Sequence, residues 1–377
     1  MPELQDIFQQ YGHSFRQNHK LPGNVRKTMS AIEHCRTAIL GGHADICDEC
    51  GYTRISYNSC RNRHCPKCQT LAKERWIEAR ENDLLNVRYF HIVFTIPDTL
   101  NGIAFQNQAI VYAILFKSVS ETLSELAADK KYLGAKLGVT SILHTWGSNL
   151  MLHPHIHCVV PGGGLNSINQ WIDSKKKFFI PVKVMSRKFR GKFLYYLKQA
   201  YAENKLRFYG KQECLSNDPV FQDFLSPLYQ NEWVVYCKPP FNNAGSVVEY
   251  LGRYTHRVAI SNNRILSMED GNVTFKWRDY REGKKEKVMT VTADEFIRCF
   301  LLHILPDRFT KIRHFGLLAS RNKTIKLRLC KKLTGTPENP KSKEKASYLQ
   351  LLMNLTGKDF SICPCCGLGR LSRAAPA

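Results

Sequence analysis

In the stretch HPHIHC, residues 153–158, His155 and His157 are separated by one hydrophobe. Alternate residues of a strand face the same side, so the two imidazoles point together and can grip one metal ion while Ile156 turns toward the core. Two buried imidazoles with no ligand or charged partner would be costly, so metal binding explains the pair better than packing does. In YLGRYTHRVAIS, residues 250–261, Tyr250 and Tyr254 stand at i and i+4, and on a helix their phenols share a face. A pair at this spacing commonly serves core packing. Beside Arg253, His256 and Arg257, and with a metal-binding strand in the same chain, it can instead attack a phosphodiester. The products would be a covalent phosphotyrosine and a free 3′-hydroxyl.

Cysteine supplies a second chemistry. Cys47-x2-Cys50 and Cys65-x2-Cys68 have the two-knuckle spacing of a zinc ribbon, in which each short turn presents two thiolates to one structural zinc. Cys60 and His64 beside the second knuckle, with His34, Cys35 and His43 before the first, could supply a further ion or pack around the first. A third knuckle, Cys363 and Cys366, has no evident partners, although Cys330 and His314 are candidates. A closed site of four protein ligands does no chemistry; its task would be to fold a small basic module that touches DNA. Arg54, Arg61, Arg63 and Lys67 are its candidate phosphate contacts, or simply solvated charges.

These side chains need a scaffold, and 377 residues, at roughly 150 per domain, predict two or three domains. Lysine and arginine number 55 against 32 acidic residues; the net charge of +23 draws polyanions, nucleic acid first. The longest apolar run, Ala109 to Phe116, is far short of the ~20 residues that span a bilayer, so no membrane anchor is expected. The opening residues lack a secretory pattern, which predicts a cytoplasmic protein whose 14 cysteines are metal ligands or buried thiols.

Apolar periodicity predicts helices over 25–40, 71–85 and 100–130 and a short one over 243–257. β-branched and aromatic runs predict strands at 88–96, 233–237, 273–277 and 287–292. A hairpin is expected from 137–146 and 153–160, closed by Pro161 and three glycines. The fold class is therefore α+β: a zinc ribbon module over 1–86, a mostly antiparallel-sheet domain over 87–305, and a basic region with a cysteine knuckle over 306–377. No G-x-x-x-x-G-K-[ST] loop occurs, so the chain carries no visible ATPase.

HPHIHC resembles the His-hydrophobe-His motif of the HUH single-strand endonucleases. YLGRYTHRVAIS and CRNRHCPKCQ resemble the tyrosine motif and zinc domain of the rolling-circle insertion-sequence transposases. The resemblance spans roughly residues 10 to 320 and rests on three ordered motifs. It implies a ferredoxin-like antiparallel sheet in the nuclease domain and nicking and joining of single-stranded or hairpin DNA at element ends through 5′-phosphotyrosine. By position, His155 and His157 would be ligands of a catalytic Mg²⁺ or Mn²⁺, and Tyr250 and Tyr254 candidate nucleophiles. The third ligand that HUH enzymes use is not identified; His153 and His91 are candidates. Arg61, Arg63, Lys67, Arg253 and Arg257 are the expected DNA contacts, and strand separation would fall to a host helicase, the replication machinery or supercoiling. Two other readings are a plasmid replication initiator or relaxase using the same chemistry, and a zinc-ribbon nucleic-acid-binding regulator without catalysis.

Overall fold

The structure is a computed structural model that describes residues 1–374 except 175–179, 242–246, 248–251, 253–254, 281, 322 and 338–346. In chain order the strands are β1 (Gly42–Cys47), β2 (Thr53–Tyr57), β3 (Tyr89–Thr95), β4 (Gly138–Trp146), β5 (Leu152–Pro161), β6 (Gly163–Leu165) and β7 (Trp171–Asp173). They continue with β8 (Val235–Phe241), β9 (Ile265–Glu269), β10 (Asn272–Asp279), β11 (Lys285–Thr292), β12 (Ile312–Gly316) and β13 (Leu371–Arg373). The helices are α1 (Leu4–Asn18), α2 (Gly23–Glu33), α3 (Pro66–Glu81), α4 (Asn101–Gln106) and α5 (Gln108–Ala128). After them come α6 (Val182–Ala202), α7 (Asp218–Gln230), α8 (Ala293–Leu301), α9 (Lys323–Leu333) and α10 (Tyr348–Thr356).

The chain forms two compact units, each from separate segments: residues 1–78, 256–304 and 339–377 build one, residues 79–255 and 305–338 the other. The chain passes between the units at 78/79 and 304/305, near the expected boundaries at 86 and 305, and also at 255/256 and 338/339. Residues 306–377 are not one region, because β12 joins the sheet of the second unit while α10 and β13 belong to the first.

The second unit is built on a five-stranded, wholly antiparallel sheet of order β12-β4-β5-β3-β8. Leaving out the added edge strand β12, the succession β3-α5-β4-β5-α6-β8 and its spatial order are those of a ferredoxin-like sheet. Phe90, Ile92 and Phe94 of β3 and Ile156, Cys158 and Val160 of β5 share one core with Val119 and Leu123 of α5 and Phe189, Phe193 and Leu197 of α6. Period-two alternation then puts His91, Val93, His155 and His157 on the opposite face. The expected helix over 100–130 is interrupted at Asn107. The Asn107 side chain donates to the Arg207 carbonyl at 2.8 Å and accepts from the Arg207 N–H at 2.7 Å, tying down the strand-like backbone that follows α6.

The glycines after Pro161 continue the chain into β6, where a Cβ on Gly164 would lie 2.4 Å from the Lys136 carbonyl oxygen. They permit a close backbone approach, and β6 pairs with β7 in a separate two-stranded sheet. β12 was hidden among basic residues: its burial is partial throughout, so IRHFG shows no apolar face. Of the expected helix over 243–257, Val247, Gly252 and Thr255 are described and helical.

In the first unit, β11-β10-β9 form a meander against which α8 packs, with Phe275 and Phe296 meeting edge to face at 5.6 Å. The same helix meets α1 through Phe300 and Phe8 at 5.5 Å. β13-β1-β2 form a separate small sheet. The expected helix over 25–40 stops at Glu33, where the chain turns to deliver Cys35.

Candidate metal centres

His144, His155 and His157 converge on the face of the five-stranded sheet opposite α5 and α6, with their ligand nitrogens within 4.8 Å of one another. Register places them there: His144 lies directly across from His155, and His157 lies between Ile142 of β4 and Val93 of β3. The His155 Nε2 and His157 Nε2 atoms are 3.1 Å apart. The Nδ1 of His155 lies 2.6 Å from the His153 carbonyl oxygen. A carbonyl can only accept, so that nitrogen carries the ring proton and Nε2 presents its lone pair. His157 Nδ1 lies 2.9 Å from His91 Nε2. Burial, then the charge of Lys238 and the proximity of His155, pushes His91 down to about 3, so it is neutral near pH 7 and shares one proton with His157 Nδ1. Both rings are thus held with Nε2 directed into one space. His144 is fixed by stacking on Trp146, at 4.7 Å and 17°.

The structure separates the candidates for a third ligand. His91 stands behind His157 as its orienting partner, and the half-exposed imidazole of His153 lies 3.6 Å from Asp98. His144, which was not among the sequence candidates, stands with His155 and His157 in a group that could hold a metal ion. The signal for it was present: in a hairpin of 137–146 with 153–160, the residue facing His155 is His144.

The cysteines regroup. One set joins Cys35, Cys60, Cys65 and Cys68, the other Cys47, Cys50, Cys363 and Cys366. The single ion expected among Cys47, Cys50, Cys65 and Cys68 is therefore corrected: the two knuckles go to different sets. A tetrahedral zinc with Zn–S near 2.3 Å separates its sulfurs by about 3.8 Å. In the first set Cys60 and Cys68 are 3.5 Å apart, Cys35 and Cys68 3.6 Å, Cys65 and Cys35 3.7 Å. Thiol hydrogen bonds from Cys60 and Cys65 draw Cys68 down to about 2, while hydrogen bonding to Cys60 and Cys68, and then burial, push Cys65 up. Crowded thiols of this kind ionise together only around a cation, and the donor set fits zinc. His64 is not in the group of four cysteines, and its backbone N–H donates to Asn62 Oδ1 at 2.9 Å. Cys330 and His314 are not partners of Cys363 and Cys366 either, since Cys330 is buried with Leu317 and Leu327 and His314 bonds Thr140 at 3.1 Å.

Two of the expected phosphate contacts also form ion pairs within the zinc-binding unit. Arg54 pairs with Asp45 at 3.0 Å and donates to the Phe360 carbonyl, and Lys67 pairs with Glu3 and donates to Gln5 at 2.6 Å. Arg61 and Arg257 are exposed and Arg63 is half-buried. Tyr250, Arg253 and Tyr254 lie outside the described residues.

Residues 7–96 match a family described as "Transposase zinc-binding domain", and residues 138–325 one described as "Putative transposase". The chain is 49% identical over 374 residues to "Putative transposase y4qJ" of Sinorhizobium fredii (strain NBRC 101917 / NGR234), across 98% of this chain and 94% of that protein. The chain belongs to the IS91-type transposase family. The transposase is also 28% identical over 298 residues to the "Transposase for insertion sequence element IS801" of Pseudomonas savastanoi pv. phaseolicola, across 78% of this chain and 70% of that protein. No solved structure matches it. As a transposase it binds DNA at the ends of its element and cleaves it, and it carries a zinc-binding domain. Among its described residues, no helix is long and apolar enough to cross a membrane.

Replacing Cys65 with serine is expected to remove one zinc per chain and unfold the surrounding module. Structural zinc supplies on the order of 10 kcal/mol to so small a unit, comparable to the whole stability of a domain. Elemental analysis together with proteolysis of the region around α3 checks this; unchanged zinc content would refute it.

Proposed function

We propose that this transposase nicks and rejoins single-stranded DNA through a 5′-phosphotyrosine intermediate, in rolling-circle-type transposition. The reading rests on three imidazoles converging on the face of a ferredoxin-like sheet opposite α5 and α6, with two of their rings held so that Nε2 can ligate. His144, His155 and His157 would hold a divalent ion, which when bound supplies positive charge at the scissile phosphate. Three nitrogen donors suit Mn²⁺ better than Mg²⁺, which prefers oxygen. The His153 carbonyl and His91 keep the ligand rings oriented, as outer partners of metal-bound histidine do. Tyr250 or Tyr254 then attacks phosphorus: the phenol loses its proton, the bond from phosphorus to the 3′-oxygen breaks, and that oxygen leaves as a hydroxyl. Attack by another 3′-hydroxyl on the phosphotyrosine reverses the step and joins strands.

The same chemistry would serve a replication initiator, but the zinc-binding transposase domain and both relatives favour transposition. With no nucleotide-binding loop in the sequence, strand opening is assigned to the host.

Withdrawing divalent ions, with a chelator weak enough to leave the zinc content unchanged, is expected to stop cleavage of a single-stranded end and leave its binding intact. Mn²⁺ should restore cleavage more fully than Mg²⁺. Binding itself should weaken steeply with salt and favour hairpin or single-stranded ends over blunt duplex. Metal-independent cleavage, or equal affinity for the duplex, would overturn the proposal.

A further inference from the structure

The matched zinc-binding domain ends at residue 96, yet two of its knuckle cysteines find their partners near residue 365. We propose a second structural zinc held by Cys47, Cys50, Cys363 and Cys366, which makes the segment around 360–373 an integral part of the zinc-binding module.

Four observations carry it. Cys47 and Cys366 are 3.8 Å apart and Cys50 and Cys363 3.7 Å, the spacing of sulfurs around one tetrahedral zinc and far beyond a disulfide's ~2.05 Å. The two knuckles are also alike. Each is Cys-x-x-Cys-Gly, each closes with the glycine N–H donating to the carbonyl of the first cysteine, at 3.2 Å for Gly51 and 3.0 Å for Gly367, and the glycines have φ of 69° and 70°. Backbone N–H groups already face the sulfurs: Cys365 N–H donates to Cys363 Sγ at 3.4 Å and Gly369 N–H to Cys366 Sγ at 3.3 Å.

Finally, the two segments interlock. The Arg370 N–H donates to Asp48 Oδ1 at 2.7 Å, and β13 pairs with β1 with Leu371 opposite Cys47. A Cβ on Gly369 would stand 2.4 Å from Cys47 Sγ, so only glycine admits this approach. Three residues of β13 beside one hairpin are too little sheet to hold together alone, and an ion with two ligands on each side supplies the missing free energy.

The test counts metal in the full-length chain. The unmodified protein should hold two zinc ions, the Cys363→Ser, Cys366→Ser variant one, and the Cys47→Ser, Cys50→Ser variant one. The fourfold variant should also hold one, because all four residues serve the same ion. Should the serine variants fail to fold, Cys366→His, which keeps a zinc-binding nitrogen, should retain both ions. A readout on the unmodified protein accompanies these. During brief alkylation Cys50, although exposed, should stay protected together with Cys47, Cys363 and Cys366, while the exposed Cys214 and Cys365 react. A mercurial that displaces zinc should release the four together. A total of one zinc in the unmodified chain, two retained in the Cys363→Ser, Cys366→Ser variant, or rapid alkylation of Cys50 would overturn the proposal.

Discussion

Replacing His144 with alanine is expected to lower strand cleavage about 100-fold or more at a fixed, limiting Mn²⁺ concentration while leaving DNA affinity unchanged. Even outer partners of a metal ligand cost 10–100-fold when removed, and loss of a ligand costs at least as much. Its position supports the role: across the hairpin from His155, stacked on Trp146, and grouped with the two histidines of the HPHIHC strand. The loss should be partly recovered by raising Mn²⁺, since two nitrogens remain.

Two comparisons make the test specific. His153→Ala should stay near the parent rate, because the contact of that residue to His155 is made by its backbone carbonyl and survives the substitution. His91→Ala should fall between the two, through loss of the partner that orients His157. Rate against Mn²⁺ concentration separates the cases, with melting curves to show that each variant is folded. A His144→Ala enzyme with the parent's metal dependence would remove His144 from the site, and loss on His153→Ala would put that imidazole in its place.

The contrast between His144 and His153 shows where sequence reasoning reaches. HPHIHC was legible because alternation along a strand is local, and the same rule placed the buried β3 and the hairpin of β4 and β5. His144 required register as well as strand identity, and register depends on the turn between 146 and 152 and on the irregularity between His144 and Trp146, where the pairing shifts. The cysteines failed at longer range. Knuckle spacing marks pairs of ligands but carries nothing about which pairs meet, and Cys47 and Cys50 are joined to partners more than 300 residues away. Counting would have helped: three knuckles with Cys35 and Cys60 make eight thiols, enough for two complete tetrahedral sets and one too many knuckles for a single ribbon. Charge has the same limit. Lys67 and Arg54 look like phosphate contacts in sequence, and folding also pairs them with Glu3 and Asp45, which sequence alone does not show.

The double replacement Tyr250→Phe, Tyr254→Phe is expected to abolish the covalent protein–DNA complex, by roughly 1,000-fold or more, while zinc content, Mn²⁺ binding and affinity for single-stranded ends persist. Phenylalanine keeps the ring and its packing and removes only the oxygen that would attack, so any loss belongs to chemistry and not to folding. A phenol with a reference pKa of about 10 is a weak nucleophile near neutral pH, which is why the reaction should need both the tyrosine and the ion. Single replacements assign the roles. If Tyr250→Phe alone removes the complex, Tyr254 serves the packing of its segment, and the reverse result exchanges them; if each single variant retains part of the adduct, both phenols react. The i, i+4 spacing allows all three outcomes, because on a helix it would present the two rings to the same side. The label belongs on the 3′ end of the strand downstream of the nick, since that fragment carries the phosphate bound to tyrosine. A denaturation-resistant complex with that fragment in the double variant would identify a nucleophile other than these tyrosines, and the phosphotyrosine mechanism would then be wrong for Tyr250 and Tyr254 alike.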